Sequence, residues 1–123
     1  MQITISRNIL AGALADLAPL ANKKTTLVIL NYVKFVTKGN KIRLQTSDGE
    51  TSIRKYVEAE SIDQDGDFLV DCADLNSFLG KVKGDTLQLT LDGNTLTVKH
   101  SKGKAQFQTL PVDDFPEPKQ DEE

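Results

Sequence analysis

An internal repeat constrains this chain more than any other feature. Shifting the sequence by 54 residues lays Gly39-Asn40 on Gly93-Asn94, Ser47 on Ser101 and Gly49 on Gly103. The same shift lays Phe35, Ile42, Leu44 and Ile53 on Leu89, Leu96, Val98 and Phe107. Turn residues meet turn residues and apolar positions meet apolar positions, so whatever one half folds into must also serve the other.

Each half reads as a strand, a helix and three strands. Ile3-Thr4-Ile5 alternates as a strand does, and Ser6 is placed to cap a helix with Ile9, Leu10, Ala13, Leu14 and Leu17 on one stripe. The other face, with Ala11, Gly12, Ala15 and Asp16, is small or acidic. After Pro19 and the polar turn Asn22-Lys23-Lys24 come strand-like runs at Leu27 to Phe35, Lys41 to Gln45 and Thr51 to Ala59. Hairpin turns are predicted at Gly39-Asn40 and Asp48-Gly49. The acidic stretch Asp63 to Asp67 reads as a solvated linker, after which the order restarts. Phe68-Leu69-Val70 is a strand, and Asp71 caps a helix with Leu75, Phe78, Leu79 and Val82 on one face. Strands then follow at Thr86 to Leu91, Thr95 to His100 and Ala105 to Leu110, with turns at Asp92-Gly93-Asn94 and Lys102-Gly103.

Two β-α-β-β-β units can lay their helices side by side over the strands and bury one common core. The expected fold class is therefore α+β, with two helices packed on an antiparallel sheet. A chain of 123 residues has enough material for one such domain and too little for two. The expected domain is 1–116, with halves at about 1–60 and 61–116, and 117–123 reads as an acidic tail or the start of a linker.

The residues point away from catalysis. His100 is the sole histidine, with no serine or cysteine spaced as a nucleophile to its base, and it is expected as an exposed strand residue. Cys72 stands beside Asp71 and Asp74, whose charge disfavours a thiolate, so a small core residue is expected there. Asp63, Asp65 and Asp67 resemble a calcium loop, but the glycine falls at the fourth position instead of the sixth. No cofactor or metal is expected. The longest aliphatic stretch, Leu27 to Leu30, is far short of the ~20 residues of a membrane span. Without a signal segment or a cysteine pair, the expected compartment is the cytoplasm.

A formal charge of −3 means that any contact with a polyanion has to come from a local patch. The candidates are Lys23 and Lys24 after the first helix, Lys81 and Lys83 at the end of the second, and Lys102 and Lys104 in a late hairpin. Lysines also suit turns and helix C-termini for the macrodipole alone, so both readings stand. Phosphate contact needs only positive side chains on one face. With 6% aromatic residues and no Trp, base stacking on single strands is not expected.

The segment Ser101-Lys102-Gly103-Lys104-Ala105-Gln106-Phe107-Gln108-Thr109-Leu110-Pro111-Val112-Asp113-Asp114-Phe115-Pro116 resembles the end of the first domain of the bacterial sliding clamp, the beta subunit of DNA polymerase III. The basic hairpin, the Leu-Pro, the acidic residue and the Phe-Pro all correspond. Ile3-Thr4-Ile5-Ser6-Arg7, Thr26-Leu27-Val28-Ile29-Leu30 and Ser47-Asp48-Gly49-Glu50 support the resemblance, which runs to Pro116. Val28 stands where the family usually has proline, and Gly49 where it has leucine.

The resemblance implies a DNA-clamp fold and a non-enzymatic processivity factor whose rings enclose duplex DNA, helices inward. It puts Lys24 where the family has a basic residue close to DNA, and Lys102 and Lys104 on the hairpin beside the subunit interface; Arg7, Lys23, Lys81 and Lys83 join Lys24 as DNA-facing candidates. The implied partners are duplex DNA, contacted weakly and without sequence readout, and a second copy or another clamp subunit. No membrane or small-molecule substrate is implied. Clamp chains of the family carry three such domains, and the pocket for polymerase and loader peptides lies in the later ones. Asp16, Asp74 and Asn76 reduce the positive charge of the helix surface. Two alternatives stay open: a clamp-derived interaction module that does not encircle DNA, and an excised first domain of a longer clamp.

Overall fold

Alternating apolar residues build strands and the two 3.6-residue stripes build helices, in the order the repeat requires. The computed structural model describes residues 1–21, 31–47, 52–82 and 86–115. The elements are β1 (Gln2–Ser6), α1 (Arg7–Ala21), β2 (Tyr32–Lys38), β3 (Lys41–Ser47), β4 (Ser52–Glu58) and β5 (Ser61–Ile62). They continue with β6 (Asp67–Asp71), α2 (Cys72–Gly80), β7 (Thr86–Asp92), β8 (Thr95–His100), β9 (Gly103–Leu110) and a 3-10 turn at Val112–Asp114. The predicted turns at Asn22-Lys23-Lys24 and Asp48-Gly49, the strand residues Leu27 to Leu30 and the segment 117–123 lie outside the described residues.

The described strands form one antiparallel sheet in the order β4-β3-β2-β6-β9-β8-β7-β1-β5. The halves exchange their first strands. β1 pairs with β7, with Ile3 opposite Leu89, and β6 pairs with β2, with Phe35 opposite Phe68. Each three-strand meander is thus extended by the opening strand of the other half, so both halves share one core. The two junction rings, Phe35 and Phe68, stack at 4.7 Å.

The structure also shows that the repeat needs two offsets. Ile3 and Ile5 correspond to Phe68 and Val70, and Leu10, Leu14 and Leu17 to Leu75, Leu79 and Val82; all ten are buried. That offset is 65 residues, against 54 for the meanders, because α1 and the segment after it are longer than their counterparts. Gly39 and Gly93 sit at φ +64° and +62°, a left-handed conformation that side chains with a Cβ resist, so each hairpin needs its glycine.

Several expectations are corrected. Ile9 does not join the core stripe; it is 47% exposed, and Ala18 takes the buried position, while Ala11 packs against the core instead of lying on the outer face. The stripe turns about the helix axis because α1 is covered by α2 and by β3 and β4 together. His100 is half-buried, edge-on to Phe78 at 5.6 Å, and its Nδ1 accepts the Lys102 N–H at 3.3 Å. The last hairpin turns at Ser101-Lys102, since His100 already pairs with Gly103.

The acidic stretch is more than a solvated linker. The Asp63 carboxylate accepts the Gln2 N–H at 2.7 Å, and that of Asp65 accepts the Gly39 N–H at 3.1 Å. Its backbone is also stitched to Thr37 through Gly66. Short carboxylates serve here because they satisfy backbone donors that no neighbouring strand reaches.

Candidate nucleic-acid interface

α1 and α2 lie in contact on one face of the sheet. Asp71 opens α2 as predicted, its carboxylate accepting the Asp74 N–H at 3.0 Å. Cys72, next in line, is buried, and desolvation together with the Asp71 charge pushes its thiol up to about 11. It is an inert core residue at any ordinary pH.

The helix surface opposite the core exposes Asn8, Ile9, Gly12, Ala15 and Asp16 from α1 and Ala73, Asp74, Ser77 and Gly80 from α2. It is small-residue and smooth. Asp16 is compensated by Lys55, which reaches from β4 to within 2.7 Å of its carboxylate, both groups being substantially exposed.

The candidate cations divide into three sets. Arg7 and Lys81 come together at the C-terminal end of α2. Arg7 donates from Nε and Nη2 to the Leu79 carbonyl at 3.0 and 2.7 Å, and Lys81 is the capping residue, its N–H directed to Phe78 and Leu79 carbonyls. Both complement the negative end of the helix. Arg7 is therefore a strap between the start of α1 and the end of α2 as well as a surface charge. Lys102 and Lys104 lie on the β8–β9 hairpin, well along the sheet, and both are exposed. Lys23, Lys24 and Lys83 lie outside the described residues.

Sequence reading overlooked two groups of cations. Lys99 stands directly opposite Lys104, which makes the hairpin more basic than two lysines suggest. Lys38, Lys41 and Arg43 gather on the sheet face turned away from the helices. Alternation contained the signal, since residues between core positions must point outward, but only the strand register shows which of them become neighbours.

The strand edges matter as much as the charges. β4 ends the sheet, and β9 meets β6 only through Thr109 and Leu110, so among the described residues Gly103 to Gln108 have a sheet partner on one side only. Open edges are where a further strand pairs most readily. Among the described residues no helix is long and apolar enough to cross a membrane.

Two helices seated on a doubled meander with open edges form a clamp-type α+β domain, and known structures carry the same fold. DNA polymerase III subunit beta from Pseudomonas aeruginosa matches with a TM-score of 0.91 at 24% identity, over 98% of this chain and 33% of that one. The Helicobacter pylori beta clamp bound to DNA ligase peptide matches with a TM-score of 0.89 at 24% identity, over 95% of this chain and 33% of that one. The beta sliding clamp of Pseudomonas putida is 28% identical over 94% of this chain and 32% of its own length. That of Helicobacter pylori strain J99 is 23% identical over 95% and 31%. The family described as DNA polymerase III beta subunit, N-terminal domain, matches residues 1–119, and the chain belongs to it. It spans about a third of the length of these relatives.

Proposed function

We propose that this chain acts as one sliding-clamp domain of a non-enzymatic processivity factor, associating with duplex DNA without reading its sequence. The observation that carries the reading is the pairing of a smooth two-helix face with open strand edges on β4 and β9. Edges of this kind allow domains to join side by side, and the helices then face a common channel. Sliding requires weak phosphate contacts and no base readout, so a surface of small side chains with cations at its margins suffices. Arg7 and Lys81 are suited to that margin, with Lys23, Lys24 and Lys83 as further phosphate contacts. Lys102 and Lys104, with Lys99 beside them, are suited to pairing with carboxylates across a domain boundary, whether on a second copy or on another clamp domain.

A second reading draws support from charge. The described helix surface carries Asp16 and Asp74 against Arg7 and Lys81, which fits an interaction module that meets partner proteins through its edges and leaves DNA alone. Light scattering over a concentration series, with and without duplex DNA, separates the two. A closed multimer, or one formed only around DNA, is the expected result. A monomer indifferent to DNA would overturn the clamp reading. The double variant Lys102→Glu, Lys104→Glu is expected to lower the assembled mass, and an unchanged mass would remove that hairpin from the interface.

A further inference from the structure

The sheet face turned away from the helices carries a feature unrelated to enclosing DNA. Phe35, Ile42 and Leu44 point into the core, so the alternate residues of β2, β3 and β4 point outward. Register sets Val36, Arg43 and Tyr56 side by side in one cross-strand row, and Lys38, Lys41 and Glu58 in the next. Five of these six, all but Glu58, line a depression of about 270 Å³. That is just below the ~300–1,000 Å³ of small-molecule sites, a size suited to one or two side chains.

Three details define what would fill it. The Nε–H of Arg43 is buried and has no hydrogen-bond partner among the described residues. A buried donor without a partner is unfavourable, so the half-exposed Arg43 side chain gains by turning its guanidinium toward an acceptor in the depression, and a carboxylate that takes two of its N–H groups satisfies it best. Lys38 stands directly opposite Lys41, a like-charge cross-strand pair that an anion between them would relieve. Glu58 offsets Lys41 from its other side only. Tyr56 is 60% exposed and with Val36 offers an apolar wall.

We infer that this outer face binds an extended acidic peptide of a partner protein. One carboxylate sits on Arg43 and a second, two residues along, between Lys38 and Lys41, while an apolar side chain of the peptide rests on Tyr56 and Val36. The row spacing carries the register, because side chains at i and i+2 of an extended chain lie about 7 Å apart, as do successive rows of the sheet. A nucleic-acid strand fits less well, since successive bases need successive aromatic platforms and this face offers one.

The test is fluorescence anisotropy on the full chain with a fluorescein-labelled peptide of aspartates and glutamates interrupted by one leucine and one phenylalanine. Saturable binding is expected, weakened at least tenfold by Lys41→Glu with Arg43→Gln and about fivefold by Tyr56→Ala. The double variant Lys102→Glu, Lys104→Glu, on the other half, is expected to leave it unchanged, which separates this site from the proposed domain boundary. Lys41 and Tyr56 are exposed, so each is also changed singly in a chain whose fold is checked by circular dichroism. Equal binding by wild type and variants would overturn the inference. So would equal affinity for a peptide of glutamates alone, or displacement by an oligothymidylate at lower concentration than by unlabelled peptide, which would make this a phosphate surface.

Discussion

Replacing Arg7 by methionine keeps the aliphatic stem and removes the guanidinium that grips Leu79. Two charged N–H groups of the half-buried Arg7 converge on the buried Leu79 carbonyl, at 3.0 and 2.7 Å. A hydrogen bond from a charged donor contributes roughly 1.5–3 kcal/mol, and two on one acceptor do not add in full. The favourable placement of a cation at a helix C-terminus adds about 0.3–1 kcal/mol. The expected loss is about 2 kcal/mol. With an unfolding entropy of about 2.1 cal/mol/K per residue, a chain of 123 residues loses about 4 °C of Tm per kcal/mol, so Arg7→Met is expected to melt about 8 °C lower. Thermal and urea unfolding followed by circular dichroism check this, with the urea m-value unchanged. Arg7→Lys, which restores the charge and at most one bond, is expected to recover part of the loss. A drop below about 2 °C combined with loss of duplex DNA binding would refute the reasoning, because Arg7 would then spend itself on phosphate and not on α2.

Leu14→Ala and its repeat counterpart Leu79→Ala, both fully buried, are each expected to cost about 2.7–5 kcal/mol in urea unfolding; a loss below 1 kcal/mol at either would contradict the shared core. Gly39→Ala and Gly93→Ala are each expected to cost about 1–2 kcal/mol, with asparagine milder, as read by thermal melts. Cys72 is expected to resist a thiol reagent at pH 8 until the chain unfolds, and rapid stoichiometric labelling of the native protein would contradict its burial. Because its folded value, about 11, lies above the usual 9.0, its contribution to stability is complete below pH 9 and falls as pH rises through 11. A chain with Cys72→Ser is expected to lose that alkaline slope.

Local patterning made most of the elements legible. The alternation in β1 and β6, the Asp71 cap, the α2 stripe and the glycines of two hairpins all follow from short-range physics. The strand exchange was not legible, because periodicity reports which face a residue turns inward and not which strand lies beside it. For the same reason the single offset of 54 aligned the meanders and left Ile3 unmatched with Phe68. Ile9 was misplaced because α1 packs against two surfaces at once and its buried arc is shifted. Of the candidate site, the charges of Arg7 and Lys81 could be read, but the Leu79 carbonyl that holds Arg7 lies 72 residues away. The outer row of Val36, Arg43 and Tyr56 exists only once three strands are in register.

The exchanged opening strands bear on how the chain is made. β1 leaves the ribosome well before its principal partner, Thr86 to Asp92, so its main pairing must wait until the whole first half and α2 have been made. β6 completes the first meander only when residue 71 has emerged. Neither half can close its sheet alone. Two fragments cut within the acidic stretch should therefore be poorly soluble apart and reassemble when produced together, each lending the other a first strand.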